Sequence, residues 1–82
     1  MKTTRNYFSR EAAQALIGQH IRSLVEFSGV PKGTTGKVIR ADKTAYEDSY
    51  NVGIEWDLPY RHKPLVDWFS RDEYYRFLEE IG

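Results

Sequence analysis

Apolar and polar positions alternate most clearly over residues 50–56. Tyr50, Val52, Ile54 and Trp56 share one side there, and Asn51, Gly53 and Glu55 the other. A period of two predicts a strand with one apolar face. Gly53 on the outward side predicts a bulge or a close backbone neighbour. Residues 20–27 repeat the pattern, with Ile21, Ser23, Val25 and Phe27 set against His20, Arg22, Leu24 and Glu26. Leu24 on the polar side predicts that a helix or a terminus covers part of it. Two shorter strands are expected, one at 36–41 around Val38 and Ile39, the other at 65–69. The period lengthens at two places. Over 7–18 a helix is predicted, with Ser9 as N-cap, Glu11 in the first turn, three alanines, Gly18 as a left-handed C-cap, and Ala13, Leu16 and Ile17 as its stripe. Ser70-Arg71-Asp72-Glu73 reads as a capping box, with Phe69 and Tyr74 at the staple positions. Tyr74, Phe77, Leu78 and Ile81 continue at helical spacing, yet residues 77–81 fit a short final strand equally well.

The connections are organised around residues 27–39, where Gly29, Gly33, Gly36 and Pro31 crowd together. Glycine reaches positive φ and proline withholds a backbone donor. This segment is therefore a loop that tightens at 33–36 and enters a strand near Thr35. It is not a phosphate loop, because Gly36-Lys37 is followed by Val38 and a strand rather than by Ser or Thr and a helix. Residues 42–49 are polar and aperiodic, an exposed loop. Residues 57–64 form another, bracketed by Pro59 and Pro64. Residues 1–6 are polar and expected to fray. The phrases Tyr7-Phe8-Ser9-Arg10-Glu11 and Trp68-Phe69-Ser70-Arg71-Asp72 look alike. A helix start needs an aromatic staple, a serine cap and an early acid, which explains both.

Composition narrows the picture. Eighty-two residues make a single domain, 1–82, with a small core that two Trp, six Tyr and four Phe help to close. Twelve basic and twelve acidic residues cancel, but unevenly. Residues 1–40 carry seven Lys/Arg against two Glu, a net of +5, and residues 41–82 carry five against ten acids, a net of −5. With no cysteine there is neither a disulfide framework nor a thiolate metal site, which fits a cytoplasmic setting. No apolar run approaches a membrane span, and no signal peptide is expected after the basic N-terminus.

Candidate chemistry is sparse. His20 and His62 are the only histidines, so no metal site is expected. No serine sits in a nucleophile-elbow context, and the acids read as turn, cap or solvated residues. The expectation is no catalysis and no cofactor. The strongest binding candidate is Tyr60-Arg61-His62-Lys63, a basic loop with an aromatic, whose side chains suit stacking or acidic contacts. Tyr46 and Tyr50 extend the candidate surface and Lys32 in the glycine loop adds a wall, whereas Trp56 and Trp68 read as core.

The residues from Phe27-Ser28-Gly29 through Gly36-Lys37-Val38, then Val52-Gly53-Ile54-Glu55-Trp56-Asp57 and Asp67-Trp68-Phe69, resemble the Gly-x-x-Gly-x-Val and Val-x-Trp pattern of SH3-like barrels. Such barrels occur in nitrile hydratase beta subunits, photosynthetic electron-transfer subunits and KOW-type nucleic-acid modules. The likeness covers about residues 19–82. The phrases Phe-Ser-Gly-Val-Pro and Asp-Trp-Phe-Ser are also similar to those of small bacterial proteins of unassigned role. The fold expectation is mainly β: a small SH3-like barrel of about five short strands, a short N-terminal helix and a C-terminal capped helix. The functional expectation is a non-catalytic protein-interaction or accessory module. The alternatives are a KOW-type nucleic-acid-binding module and a non-catalytic subunit of an enzyme complex.

Overall fold

A computed structural model describes residues 7–27, 29–46, 48–59 and 63–82. The chain is mainly β. A helix α1 (Arg10–Ala15) precedes strands β1 (His20–Ser23), β2 (Thr35–Lys43), β3 (Tyr50–Trp56) and β4 (Leu65–Phe69), then helix α2 (Arg71–Phe77) and strand β5 (Leu78–Glu80). The five strands form one antiparallel sheet in the order β4-β3-β2-β1-β5.

β3 and β4 have the bounds that the alternation predicts. β1 is shorter than the expected 20–27, and local hydrogen bonds explain why. The buried Ser23 hydroxyl donates to the Val25 carbonyl and accepts from the Val25 N–H at 3.3 Å. This side-chain turn competes with the ladder. The Leu24 N–H goes instead to the Phe77 carbonyl at 2.8 Å, and Phe27 pairs back onto Val30 across Gly29, whose φ is +79°. Leu24 is not covered; it stays 40% exposed. The α1 helix is likewise shorter than 7–18. Phe8 is held as a β-bridge to Tyr50, which excludes it from the helix, and Ser9 caps by accepting from the Ala12 N–H at 3.1 Å. Gly18 does take positive φ, +98°, but as the end of a turn beyond the helix, its N–H donating to the Val38 carbonyl. The capping box of α2 is complete, and residues 78–80 resolve to strand, paired with residues 21–23 of β1. Expectations for residues 1–6 lie outside the described residues.

Connectivity forces the sheet to curl. α2 joins the two edge strands, β4 and β5. Across a flat sheet those edges would stand roughly 19 Å apart at about 4.8 Å per strand, whereas seven helical residues span only about 10 Å. β2 carries a register shift between Val38 and Arg40, the local device that bends a strand. The inner face holds Phe8, Ile21, Val30, Val38, Val52, Ile54, Trp56, Phe69, Tyr74 and Leu78, all buried. The Phe27 ring sits where the edges approach, 5.9 Å from Trp56, 5.5 Å from Phe69 and 6.2 Å from Phe77. β4 and β5 do not pair with each other, so the sheet is curled but open.

Two glycines meet close neighbours. A Cβ on Gly36 would lie 2.8 Å from the Glu55 carbonyl oxygen. A Cβ on Gly53 would lie 3.1 Å from the ring of Trp68. The close neighbour expected at Gly53 is thus an indole rather than backbone, and the register shift is on the facing strand. Trp68 was expected in the core; it lies on the outer face, 43% exposed, with the Arg40 guanidinium 6.0 Å from its ring.

Candidate interaction surface

The register of β3 gives the molecule two ends. Tyr50 pairs with Lys43 at one, and Trp56 pairs with Gly36 at the other. Seven residues of strand separate them by about 20 Å. Lys32 and Lys63 are exposed in the loops at the Trp56 end. Tyr46 and Tyr50 belong to the Tyr50 end. Tyr60, Arg61 and His62 lie outside the described residues. Of the four described candidates, Tyr46 and Tyr50 therefore stand at one end and Lys32 and Lys63 at the other.

The Tyr50 end gathers side chains that lie far apart along the chain. The Phe8 N–H donates to the Tyr50 carbonyl at 3.1 Å and the Tyr50 N–H to the Phe8 carbonyl at 2.9 Å, which pins the N-terminal segment across β3. Tyr7 then meets Tyr46 at 6.0 Å, and Phe8 meets Tyr75 at 6.1 Å. Tyr75 stands at right angles to Tyr74, 5.0 Å away, with the Arg71 guanidinium 5.8 Å from its ring. Tyr46 and Tyr75 are 56% and 57% exposed. A surface depression of about 660 Å³ beside them is lined by Tyr7, Arg10, Glu11, Asp48 and Arg71 among others. The two similar phrases meet here. Each buries its phenylalanine (Phe8, Phe69), uses its serine as a cap (Ser9, Ser70) and turns its arginine (Arg10, Arg71) toward the same depression. The repetition is the sequence signal for Tyr7, Arg10 and Arg71, beyond the helix capping that it also serves.

The buried member, Tyr74, behaves differently from its exposed neighbour. Burial, and then the Glu80 carboxylate that accepts its hydroxyl at 3.0 Å, push its pKa well above the ordinary tyrosine range. It stays a neutral donor under all ordinary conditions.

Charges on the outer face of the sheet are largely matched. Arg22 pairs with Glu79 at 2.8 Å and Arg40 with Asp42 at 3.3 Å, and Lys37 stands in register with Glu55. The Thr35 hydroxyl donates to Asp57 at 2.7 Å. The basic first half and acidic second half of the chain thus interleave on this face. His20 is exposed, and among the described residues no group of three His, Asp or Glu side chains could hold a metal ion.

These features define a small mainly-β domain with an open five-stranded antiparallel sheet, two capped helices and an aromatic–arginine surface at one end. In comparison with known proteins, no family model, curated protein or solved structure gives a significant match. No helix among the described residues is long and apolar enough to cross a membrane.

Proposed function

We propose that the chain is a non-catalytic interaction module, of small SH3-like barrel type, that binds a protein partner through the Tyr50 end. The observation that carries this reading is the pair of solvent-facing tyrosines, Tyr46 and Tyr75, each held by a second ring and one flanked by Arg71. Tyr and Arg dominate protein–protein hot spots because they offer large rigid contact area with a polar tip at little entropic cost. Glu11 and Asp48 beside the two arginines give the surface both signs of charge, which suits a protein better than a polyanion. Matching of Lys37 and Arg40 by acids points the same way. A cytoplasmic setting is part of this reading and agrees with the absence of cysteine.

The test is affinity capture with the wild-type chain and with a Tyr46→Ala/Tyr75→Ala variant shown to be folded by circular dichroism. A protein recovered by the wild type and lost with the variant supports the reading. Equal recovery with both chains, or recovery of nothing by either, overturns it. A mobility shift of DNA or RNA at about 50 mM salt, where phosphate contacts are strong, would replace it with the nucleic-acid alternative.

A further inference from the structure

Where the curled sheet stays open, β4 has β3 on one side and no strand on the other among the described residues. Between that free edge and α2 lies a cleft of about 420 Å³, lined by Phe27, Phe69, Phe77, Trp68 and two acids, Asp67 and Glu73. The aromatic lining is continuous with the core, since Phe27 touches both Phe69 and Phe77. Each acid uses one oxygen internally. Asp67 Oδ2 accepts the Trp56 indole N–H at 2.9 Å, and Glu73 Oε1 accepts the Ser70 N–H at 3.0 Å. The ion pairs among the described residues all employ other acids. The cleft therefore offers apolar rings, two fixed carboxylates with spare lone pairs and a strand edge with no partner strand among the described residues.

We infer that this cleft binds an extended peptide segment that adds to β4 as a sixth strand and lays a lysine or arginine side chain between Asp67 and Glu73. An added strand satisfies the backbone groups of a free edge, and alternate side chains point into the groove beside it. A long basic side chain matches the lining in both of its parts. Its methylene stem covers the rings, and its cationic head meets the carboxylates and the aromatic faces. Nucleic acid is excluded by the sign of the charge. A second copy of this chain docking through its own β4 is disfavoured too, because antiparallel pairing about the middle of that strand sets Asp67 against Asp67. The site is on the open side of the sheet and is separate from the tyrosine surface at the Tyr50 end.

The experiment is an NMR titration of the full ¹⁵N-labelled chain with degenerate seven-residue peptide pools. Their central residue is fixed as lysine, as arginine, as uncharged norleucine or as glutamate. The basic pools are expected to shift the β4 amides and the Trp56 indole N–H. The norleucine pool should bind about tenfold more weakly, and the glutamate pool not at all. A charge-neutral Asp67→Asn/Glu73→Gln variant keeps both internal hydrogen bonds, and in it the preference for basic pools over norleucine should disappear. Equal response to all pools, no response in β4 to any pool, or an unchanged preference in the variant overturns the inference. Shifts of the same signals on diluting the protein alone would assign the cleft to a second copy and overturn it equally. None of these readouts depends on Tyr46 or Tyr75, so the two surfaces stand or fall separately.

Discussion

Two aromatic regions of this protein are built from similar residues and do opposite work. Around Phe27, the rings of Trp56, Phe69 and Phe77 close the gap between the edge strands. At the Tyr50 end, the rings of Tyr46 and Tyr75 stand in solvent, backed by Tyr7 and Phe8. The difference lies in how each polar atom is treated. In the first group phenylalanines have none, and the one indole N–H, on buried Trp56, is given to Asp67. In the second, the residues that carry the hydroxyls, Tyr46 and Tyr75, are more than half exposed. The part of the ring area that the first region withdraws from water stabilises the fold, while the rings of Tyr46 and Tyr75 stay more than half exposed. Mutations that distinguish the two should therefore separate stability from binding.

The largest effect is expected at Phe27. Phe27→Ala removes a ring that touches three others where no strand pairing closes the sheet. A loss of about 3 kcal/mol is expected, at the low end for Phe→Ala because the residue is only half-buried. Urea unfolding measures it. A loss below about 1 kcal/mol, the size of an ordinary surface change, would mean that the ring does not hold the edges together.

The next effect is at Gly53, where the Trp68 ring rests on bare backbone. Gly53→Ala places a methyl group 3.1 Å from that ring, so the indole must shift by a few tenths of an ångström. The expected loss is about 1 to 2 kcal/mol, in the range of modest overpacking, with a red-shifted Trp68 emission measured in a Trp56→Phe background. Unchanged emission would show that Trp68 is not seated on Gly53.

Tyr74 belongs to the inner region by burial and to the outer by neighbourhood, and pH tells the two apart. Its pKa is raised in the folded state by burial and by Glu80. In the unfolded chain it ionises near the ordinary tyrosine value, about 10. The proton is thus held more tightly by the folded state, and the associated stability is fully present below pH about 10 and falls as pH rises above it. Tyr74→Phe should cost about 1 kcal/mol at neutral pH through loss of the hydroxyl bond to Glu80. It should also flatten the alkaline decline in stability. Parallel declines for wild type and variant between pH 9 and 11 would refute the assignment.

How much of this was legible beforehand depends on whether the signal was local. Residues 50–56 and 65–69 carry their own periodicity and turn residues, and both strands have the expected bounds. The Ser70-Glu73 capping box is a short-range hydrogen-bond pattern, and it too is as expected. The end of β1 depends on a buried serine and on Phe77, 53 positions away from Leu24, so alternation alone carried it too far. Trp68 reads as core because Val66 and Phe69 lie beside it; only the pairing with Gly53 reveals the outer-face seat. The candidate surface was the least legible part. Tyr7, Arg10 and Arg71 come together through the Phe8–Tyr50 bridge, a contact across 42 positions that no local pattern encodes.

The smallest stability effect is expected at Tyr46, and its smallness is the point. Tyr46 is 56% exposed and its one ring neighbour among the described residues is Tyr7. Tyr46→Ala should change stability by no more than about 0.5 kcal/mol, as surface substitutions usually do. If the Tyr50 end is a binding surface, the same change should weaken the partner by a factor of 10 or more, on the order of 1.4 kcal/mol, measured by calorimetry with the captured protein. A variant that loses stability and keeps binding would exchange the roles of the two aromatic regions: the tyrosines would be holding the N-terminal segment to β3, and the contact surface would have to be sought elsewhere. Phe27→Ala supplies the opposite control, since its binding loss should disappear once the measurement is restricted to the folded fraction. The two variants together distinguish a ring that closes the sheet from a ring that meets a partner.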